Sequence, residues 1–596
     1  MYCYPMRVLL ASKRILSPVT VRGPHAWQGW SRFYRVESSH RNLSYRLRSQ
    51  DTVNAILKQH RRRRHGFSCY AAEVDDVFFS NVTFSENGVG HEVCGLLEEA
   101  GFTAMSKAQR DSYAALRKGG DVVLAAETGS GKTMAYLVPL IENLIDARGD
   151  DRGAVDDDIM EESVVEELRS REHASSVLVL CPNAVLCKQV VDVIDSIYGG
   201  SDLIKAVYVS AQQISYDDSR EGFPDVVVTT PGALHSLLNG TGPLIGPEWT
   251  MQGLKDWARF VVLDEADMLL GGAYGKSIEH VMGELRGGDR ERAALRACEE
   301  VGISLDDYWS MPRHIRKAAQ LYGGRGMVEE GACDFIEGRR PGDDLNQSNV
   351  WLRQYCFVGA TMPTEGKETV GAKIAKEFPT ATWISGQQLH KTMQQVEFRW
   401  ESAHDGERHK HDVLMDIIQS DEEIQQGSGR VMVFTKDTKS CKTMATMLSN
   451  ALASEGDDAS SPLVLQYHKG SSQAEREESL RYVQMRGDTS RSFIFVCTDA
   501  TARGLDVPGV SHVVHADFPA SAVDFLHRSG RTGRAGKKGV VTAIVDEDGV
   551  DLANAIRELI QDDGSIEGAF SRNRSFRKKF KKYGEFVPRG ALKSDA

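Results

Sequence analysis

From about residue 120 onward, short apolar runs alternate with longer amphipathic stretches. Val122–Ala126, Val177–Cys181, Asp225–Thr229, Phe260–Asp264 and Tyr355–Gly359 form a first series. Val431–Phe434, Leu463–Tyr467, Phe493–Cys497, His512–His515 and Val540–Ile544 form a second. A strand with one wet face alternates apolar and polar residues, whereas a run apolar at nearly every position is covered on both faces. The pattern therefore predicts an α/β protein with two parallel sheets, each flanked by helices. Strand periodicity lapses near Ser385–Glu401, which places the changeover between the series there.

Composition adds little to this picture, and charge adds more. The 596-residue chain is 41% hydrophobic and 26% charged, as in ordinary globular domains. It has no apolar run of 18 residues, so no membrane span is expected. Its ten cysteines include no C-x-x-C pair, which argues for reduced, buried thiols rather than a zinc site. Residues 1–65 hold fourteen Lys/Arg against two acids, Glu37 and Asp51, within a net charge of −12 for the whole chain. An Arg-rich, acid-poor start resembles an organelle transit peptide. The run Arg61–Arg64 also fits a basic nucleic-acid-binding arm. Residues 146–172, with eleven acids and four bases, read as a solvated acidic loop. Residues ~285–348 read as either a small subdomain or a mobile insertion, with helical fragments such as Arg290–Glu300. The segment "SRNRSFRKKFKK" (571–582) carries seven bases and no acid.

The candidate chemistry begins with "AETGSGKT". Ala126, Glu127, Thr128, Gly129, Ser130, Gly131, Lys132 and Thr133 lie between a predicted strand and a predicted helix. Gly129 and Gly131 let backbone N–H groups approach phosphate oxygens. Lys132 neutralises them, and the Thr133 hydroxyl suits Mg²⁺. The run "FVVLDEADMLL" (260–270) then delivers Asp264 and Glu265 to the carboxyl edge of a sheet, where α/β ligands bind. Asp264 would hold Mg²⁺ through water, and Glu265 would orient or deprotonate the attacking water. The combination predicts nucleotide hydrolysis.

With these motifs the chain resembles the DEAD-box RNA helicase family, and further segments carry the likeness. "GFTAMSKAQ" (101–109) looks like its Q motif, with Met105 where the family has proline. The resemblance implies that Gln109 reads the adenine edge and Phe84 stacks on its ring, so that ATP is the nucleotide. "CTDATARGLDVPGV" (497–510) and "HRSGRTGRAG" (527–536) look like the late motifs. They imply Arg531 and Arg534 as arginine fingers and Asp506 at the ribose. They further imply RNA contacts from Pro182, Thr230, Gly232, Gln473, Arg476, Thr498 and Arg503, with His468 on the same RNA-facing side. Asp267, Thr361 and His527 would couple the domains. The implied fold is two tandem RecA-like domains. The expected divisions are a disordered transit peptide (1–65), a first domain (66–390) containing both insertions, a second domain (391–565) and a basic tail (566–596).

The departures fall on the RNA side. "PNAVLC" (182–187) stands for P-T-R-E-L-A, "TPGA" (230–233) for T-P-G-R, and "GAT" (359–361) for S-A-T. Each lost phosphate contact lowers the salt slope of binding by about 0.7 on single strands. Several departures resemble a plastid-targeted plant subgroup of the family. The expectation is a monomeric, membrane-free enzyme of the chloroplast stroma, or alternatively the mitochondrion, that remodels structured ribosomal or precursor RNA. Its tail would be either an RNA anchor or a solvated end. Two readings stay open beside it: an ATP-gated RNA clamp that unwinds little, suggested by Gly359, and a DNA translocase sharing the two-domain engine.

Overall fold

Alternate residues of the first-series strands feed two different cores, as a sheet covered on both faces requires. Val122, Leu124, Val177, Val179, Val226 and Val228 pack on one side, while Val123, Ala125, Leu178, Leu180 and Val227 pack on the other. The computed structural model describes residues 80–569 except 128, 154–174, 202, 211–213, 216–222, 242–245, 272–273, 302–303, 313–350, 365–368, 387–388, 394, 404–408, 453–460, 485–490, 503, 535–536 and 563. All of these belong to the unit spanning 63–596. The transit peptide, Thr128, Arg503, the residues 154–172 of the acidic loop and the basic run 571–582 lie outside the described residues.

The first sheet contains β1 (Val122–Ala125), β2 (Ser176–Leu180), β3 (Ala206–Val209), β4 (Ile214–Ser215), β5 (Val226–Thr229), β6 (Ala258–Asp264), β7 (Gln354–Gly359) and β8 (Thr382–Ser385). Their spatial order is β4-β3-β5-β2-β6-β7-β1-β8, with only the β3–β4 pair antiparallel. The second contains β9 (Val396–Ser402), β10 (Arg430–Thr435), β11 (Leu463–Tyr467), β12 (Phe493–Thr498), β13 (His512–His515) and β14 (Gly539–Val545). It is wholly parallel, in the order β11-β12-β10-β13-β14-β9. Every predicted strand is present within a residue or two of its expected ends.

Three expectations are corrected. The interval Ser385–Glu401 is not a gap in strand structure: β8 ends in it, and β9 fills its second part as an edge strand. The supposed insertion begins as part of one continuous helix, Gly275–Val301, fastened to the foot of β7. Arg353, its side chain fully buried, donates to Asp289 at 2.8 Å, and the Arg292 guanidinium lies 3.9 Å from the Trp351 ring centre. The second lobe also continues past residue 565, because Ile566 and Ala569 are fully buried against Phe525, Leu552 and Ile556.

Candidate active site

Between β1 and the helix Lys132–Gly153 the chain turns through two left-handed glycines, Gly129 (φ +87°) and Gly131 (φ +80°). A side chain at either would strain the backbone. At Gly131 a β-carbon would also stand 2.6 Å from Gln109 Nε2. Lys132 Nζ donates to the carbonyls of Ala126 and Glu127, both at 2.8 Å. Burial pulls its pKa down, opposed by Glu265, Asp264, Glu127 and Asp267. Ser130 Oγ donates to Glu127 O at 2.7 Å and tightens the turn. Thr133 is half-buried on the first turn of the helix.

The apolar strand β6 runs buried to Asp264, which is 6% exposed. Tyr136 Oη donates to Asp264 Oδ2 and the Glu265 N–H to Oδ1, each at 3.0 Å. Burial first and the Glu265 charge second push the Asp264 pKa up to about 6, against the pull of Lys132. A carboxylate this costly to ionise fits a divalent cation, which would restore its charge. Asp264 and the Thr133 hydroxyl are hard oxygen donors of the type Mg²⁺ prefers. Glu265 occupies the left-handed region (φ +55°), a conformation that non-glycine residues adopt at a cost of order 1–3 kcal/mol and that concentrates at working sites.

The Q-motif residues are placed unequally. Ser106 and Gln109 form a capping box: Ser106 N–H donates to Gln109 Oε1 at 2.9 Å, and Gln109 N–H to Ser106 Oγ at 3.2 Å. Gln109 Nε2 donates to Gly131 O at 3.3 Å, tying the motif to the phosphate loop. Phe84 is 4% exposed and packs with the core residues of the first lobe. Met105, in the family's proline position, is buried and accepts from Ser80 through its carbonyl.

Across the cleft, one arginine lies on the helix Ala522–Ser529 and two follow it. Arg528 is committed to its own lobe by a two-pronged pair with Asp499 at 2.6 and 2.7 Å. Arg531 donates to Leu505 O at 2.9 Å and Arg534 to Asp506 at 2.9 Å, so Asp506 holds Arg534 in this geometry. Burial, then the charge of Arg534, lowers the Arg531 pKa to about 10, which leaves it cationic. Both guanidiniums feel the charge of Glu265 in the other lobe. Beside them, Asp267 Oδ2 accepts a short hydrogen bond from Thr361 Oγ1 and lies 3.1 Å from His527 Nε2. Glu265, Asp267 and His527 offer ligand atoms within 4.8 Å of one another. The three coupling residues are thus together.

On the expected RNA side, Pro182 and Thr498 are buried, and the Thr498 hydroxyl lies 3.0 Å from that of Thr501. Thr230 caps the helix Pro231–Leu238, and Gly232 is exposed on its first turn. Gln473 is exposed, and Arg476 donates to Ser471 O at 2.7 Å. His468 is 1% exposed and bonds to Ser471, so its ring does not face outward as expected. The pattern of motifs gave no hint of what the altered "PNAVLC" helix touches. Val185 packs against the second lobe's core, and Leu186 lies over Gly504, where a β-carbon would come within 2.3 Å of it. With its amide turned so that the nitrogen faces Gly504 O, Gln189 donates to that oxygen at 2.8 Å and accepts from Asp506 N–H at 3.1 Å. At Gly359 the Met362 methyl fills the space a side chain would take, 2.7 Å from its β-carbon position.

Residues 106–299 match the DEAD/DEAH box helicase family, and residues 409–536 match the helicase conserved C-terminal domain. DEAD-box ATP-dependent RNA helicase 22 of Arabidopsis thaliana is 33% identical over 571 residues, 91% of each chain. The protein of that name from Oryza sativa subsp. japonica is 34% identical over 528 residues, 85% of each. Among solved structures, the DEAD-box helicase Mss116 bound to ssRNA and UDP-BeF superposes with a TM-score of 0.55 at 18% identity. That match covers 86% of this chain and 90% of Mss116.

Proposed function

The chain belongs to the DEAD-box ATP-dependent RNA helicases, and on that premise we propose that it couples ATP hydrolysis to local remodelling of structured RNA in the chloroplast stroma. Ribosomal RNA or its precursors are the proposed substrates. The observation carrying the mechanism is the meeting of the two lobes at Asp267 and His527, 3.1 Å apart, which joins the helix directly after Glu265 to the helix that leads into Arg531 and Arg534. Glu265, at the end of β6, accepts a proton from the attacking water. Lys132 and the loop amides cradle the phosphates, and the two guanidiniums stabilise charge on the transferring phosphoryl group. A finger supplied from a second domain is worth roughly 10³–10⁵ in rate, so turnover depends on the lobes meeting. Mg²⁺, held by Thr133 and Asp264, would neutralise phosphate charge when bound. RNA that bridges the lobes accelerates hydrolysis, and reopening releases the strand.

The organellar assignment rests on the Arg-rich first 65 residues and on the likeness to a plastid-targeted subgroup. Chloroplast import of a reporter fused to residues 1–65 tests it; mitochondrial import supports the alternative, and cytosolic retention rejects both. The substrate is tested by crosslinking in isolated organelles and sequencing the bound RNA. Recovery of ribosomal sequence no more often than its abundance predicts rejects the ribosomal assignment.

A clamp that holds RNA and unwinds little is the second reading, favoured by Met362 filling the space at Gly359. Strand displacement measured beside ATP turnover separates the two. RNA-stimulated turnover without displacement rejects unwinding in favour of the clamp.

A further inference from the structure

We infer that His390 and Glu567 are positioning residues that hold the loop after β7 against the second lobe, forming a second coupling route beside Asp267–Thr361–His527. The inference rests on the RNA-coupled ATPase reading above and adds residues to it. His390 lies in the linker between β8 and β9, is 5% exposed, and sits at φ +61°. Among the described residues the other non-glycine with positive φ is Glu265. A strained, buried polar residue persists when its surroundings over-determine it.

The bonds around the ring define its role. The Met362 N–H donates to His390 Nε2 at 3.1 Å, so that nitrogen carries the lone pair and the proton resides on Nδ1. Nδ1–H then donates to Glu567 Oε2 at 3.1 Å. The other carboxylate oxygen of Glu567 accepts from Thr364 N–H at 3.3 Å, and Ile566 N–H donates to His390 O at 2.9 Å. Glu567 belongs to a short turn, Ile566–Ala569, whose fully buried ends pack with Phe525. Phe525 lies on the helix that presents His527 and Arg528. The loop 361–364 is therefore held twice: by the Thr361 side chain through Asp267 to His527, and by the Met362 and Thr364 amides through His390 and Glu567 to the same helix. Either route by itself leaves the loop a hinge; the pair fixes its rotation relative to the arginines.

The test uses the full chain with His390→Ala, Glu567→Ala and the double variant. Basal and RNA-stimulated kcat, KM for ATP and thermal unfolding are measured. Each single change is expected to lower RNA-stimulated kcat about tenfold, with basal turnover and KM within about twofold. The double variant should be no worse than the worse single, because both act on one route. Glu567→Gln, which keeps one acceptor oxygen, should fall between wild type and Glu567→Ala. Unchanged RNA stimulation, multiplicative losses in the double variant, or equal falls in basal and stimulated rates together with the melting temperature would each overturn the inference. If His390→Ala does not fold, the half-buried Glu567 and its Gln variant decide it. An absence of RNA stimulation in the wild type would defeat the ATPase-coupling reading itself, a separate outcome.

Discussion

Asp267 of the first lobe and His527 of the second meet at 3.1 Å, with the Thr361 hydroxyl bonded to the same carboxylate oxygen. The contact joins the helix after the Asp264–Glu265 pair to the helix before Arg531. A lobe that moves must break it. His527→Ala should lower RNA-stimulated ATP turnover by about ten- to a hundredfold, roughly 1.4–2.7 kcal/mol of barrier. ATP affinity in the absence of RNA should hold, since Lys132 and its loop are untouched. Equal losses with and without RNA would show that the contact does not couple.

Arg534→Lys retains a charge but loses the planar fork that pairs with Asp506 at 2.9 Å. Turnover with RNA should drop by about 10²–10³ while nucleotide binding persists. Single-turnover hydrolysis and a fluorescent-nucleotide titration on the same sample distinguish the two effects. An Arg534→Lys enzyme with normal RNA-triggered turnover would remove the finger role.

Gly504→Ala tests the contact between the lobes without touching a reacting group. Its backbone is left-handed (φ +72°), and a β-carbon would collide with Leu186 at 2.3 Å. The lobes would then fail to close, and RNA stimulation should fall at least tenfold with ATP binding intact. Leu186→Ala placed with Gly504→Ala opens the space again and should recover part of the loss. Failure to recover would assign the defect to backbone strain at residue 504.

Asp264 gives a pH-dependent prediction with a definite sign. Its folded pKa of about 6 exceeds the ordinary aspartate value of 3.8, so the folded state binds the proton more tightly. The stability this proton contributes is complete below pH 4 and is lost as the pH rises through 6. Above pH 6 the ionised group costs about 3 kcal/mol. Asp264→Asn should be inactive yet more stable than wild type by about 1–3 kcal/mol at pH 8, the gain vanishing below pH 4. Urea unfolding at pH 4 and pH 8 measures it; a pH-independent difference would refute the assignment.

Nine of the ten predicted strands lie inside their sheets and were legible because burial on both faces writes a continuous apolar word; the tenth, β11, is a half-buried edge strand that its Leu-Val-Leu run still marks. The strands that escaped notice are at or next to sheet margins. In β9 the sequence Val-Glu-Phe-Arg-Trp-Glu-Ser alternates toward solvent and reads as a linker. The nucleotide loop and the Asp264–Glu265 pair were legible because each is a local string whose spacing carries its chemistry. His390 with Glu567, 177 positions apart, and Gln189 with Gly504 are pairs created by folding, and no local string marks them. Phe84 shows another limit: the motif marks its position, while its place among the core residues comes from the fold.

The pairing of β9 with β14 sets an order of assembly. The first strand of the second sheet meets its one neighbour only when the last strand arrives, with Val396 beside Gly539 and Ser402 beside Val545. During synthesis β9 must wait unpaired, with Phe398 and Trp400 lacking the Phe525 ring they stack on. A chain cut short before residue 539 can complete neither that ladder nor its aromatic cover. The ribosome therefore releases the second lobe to fold as a whole rather than strand by strand, and nascent-chain aggregation should centre on the segment 396–402.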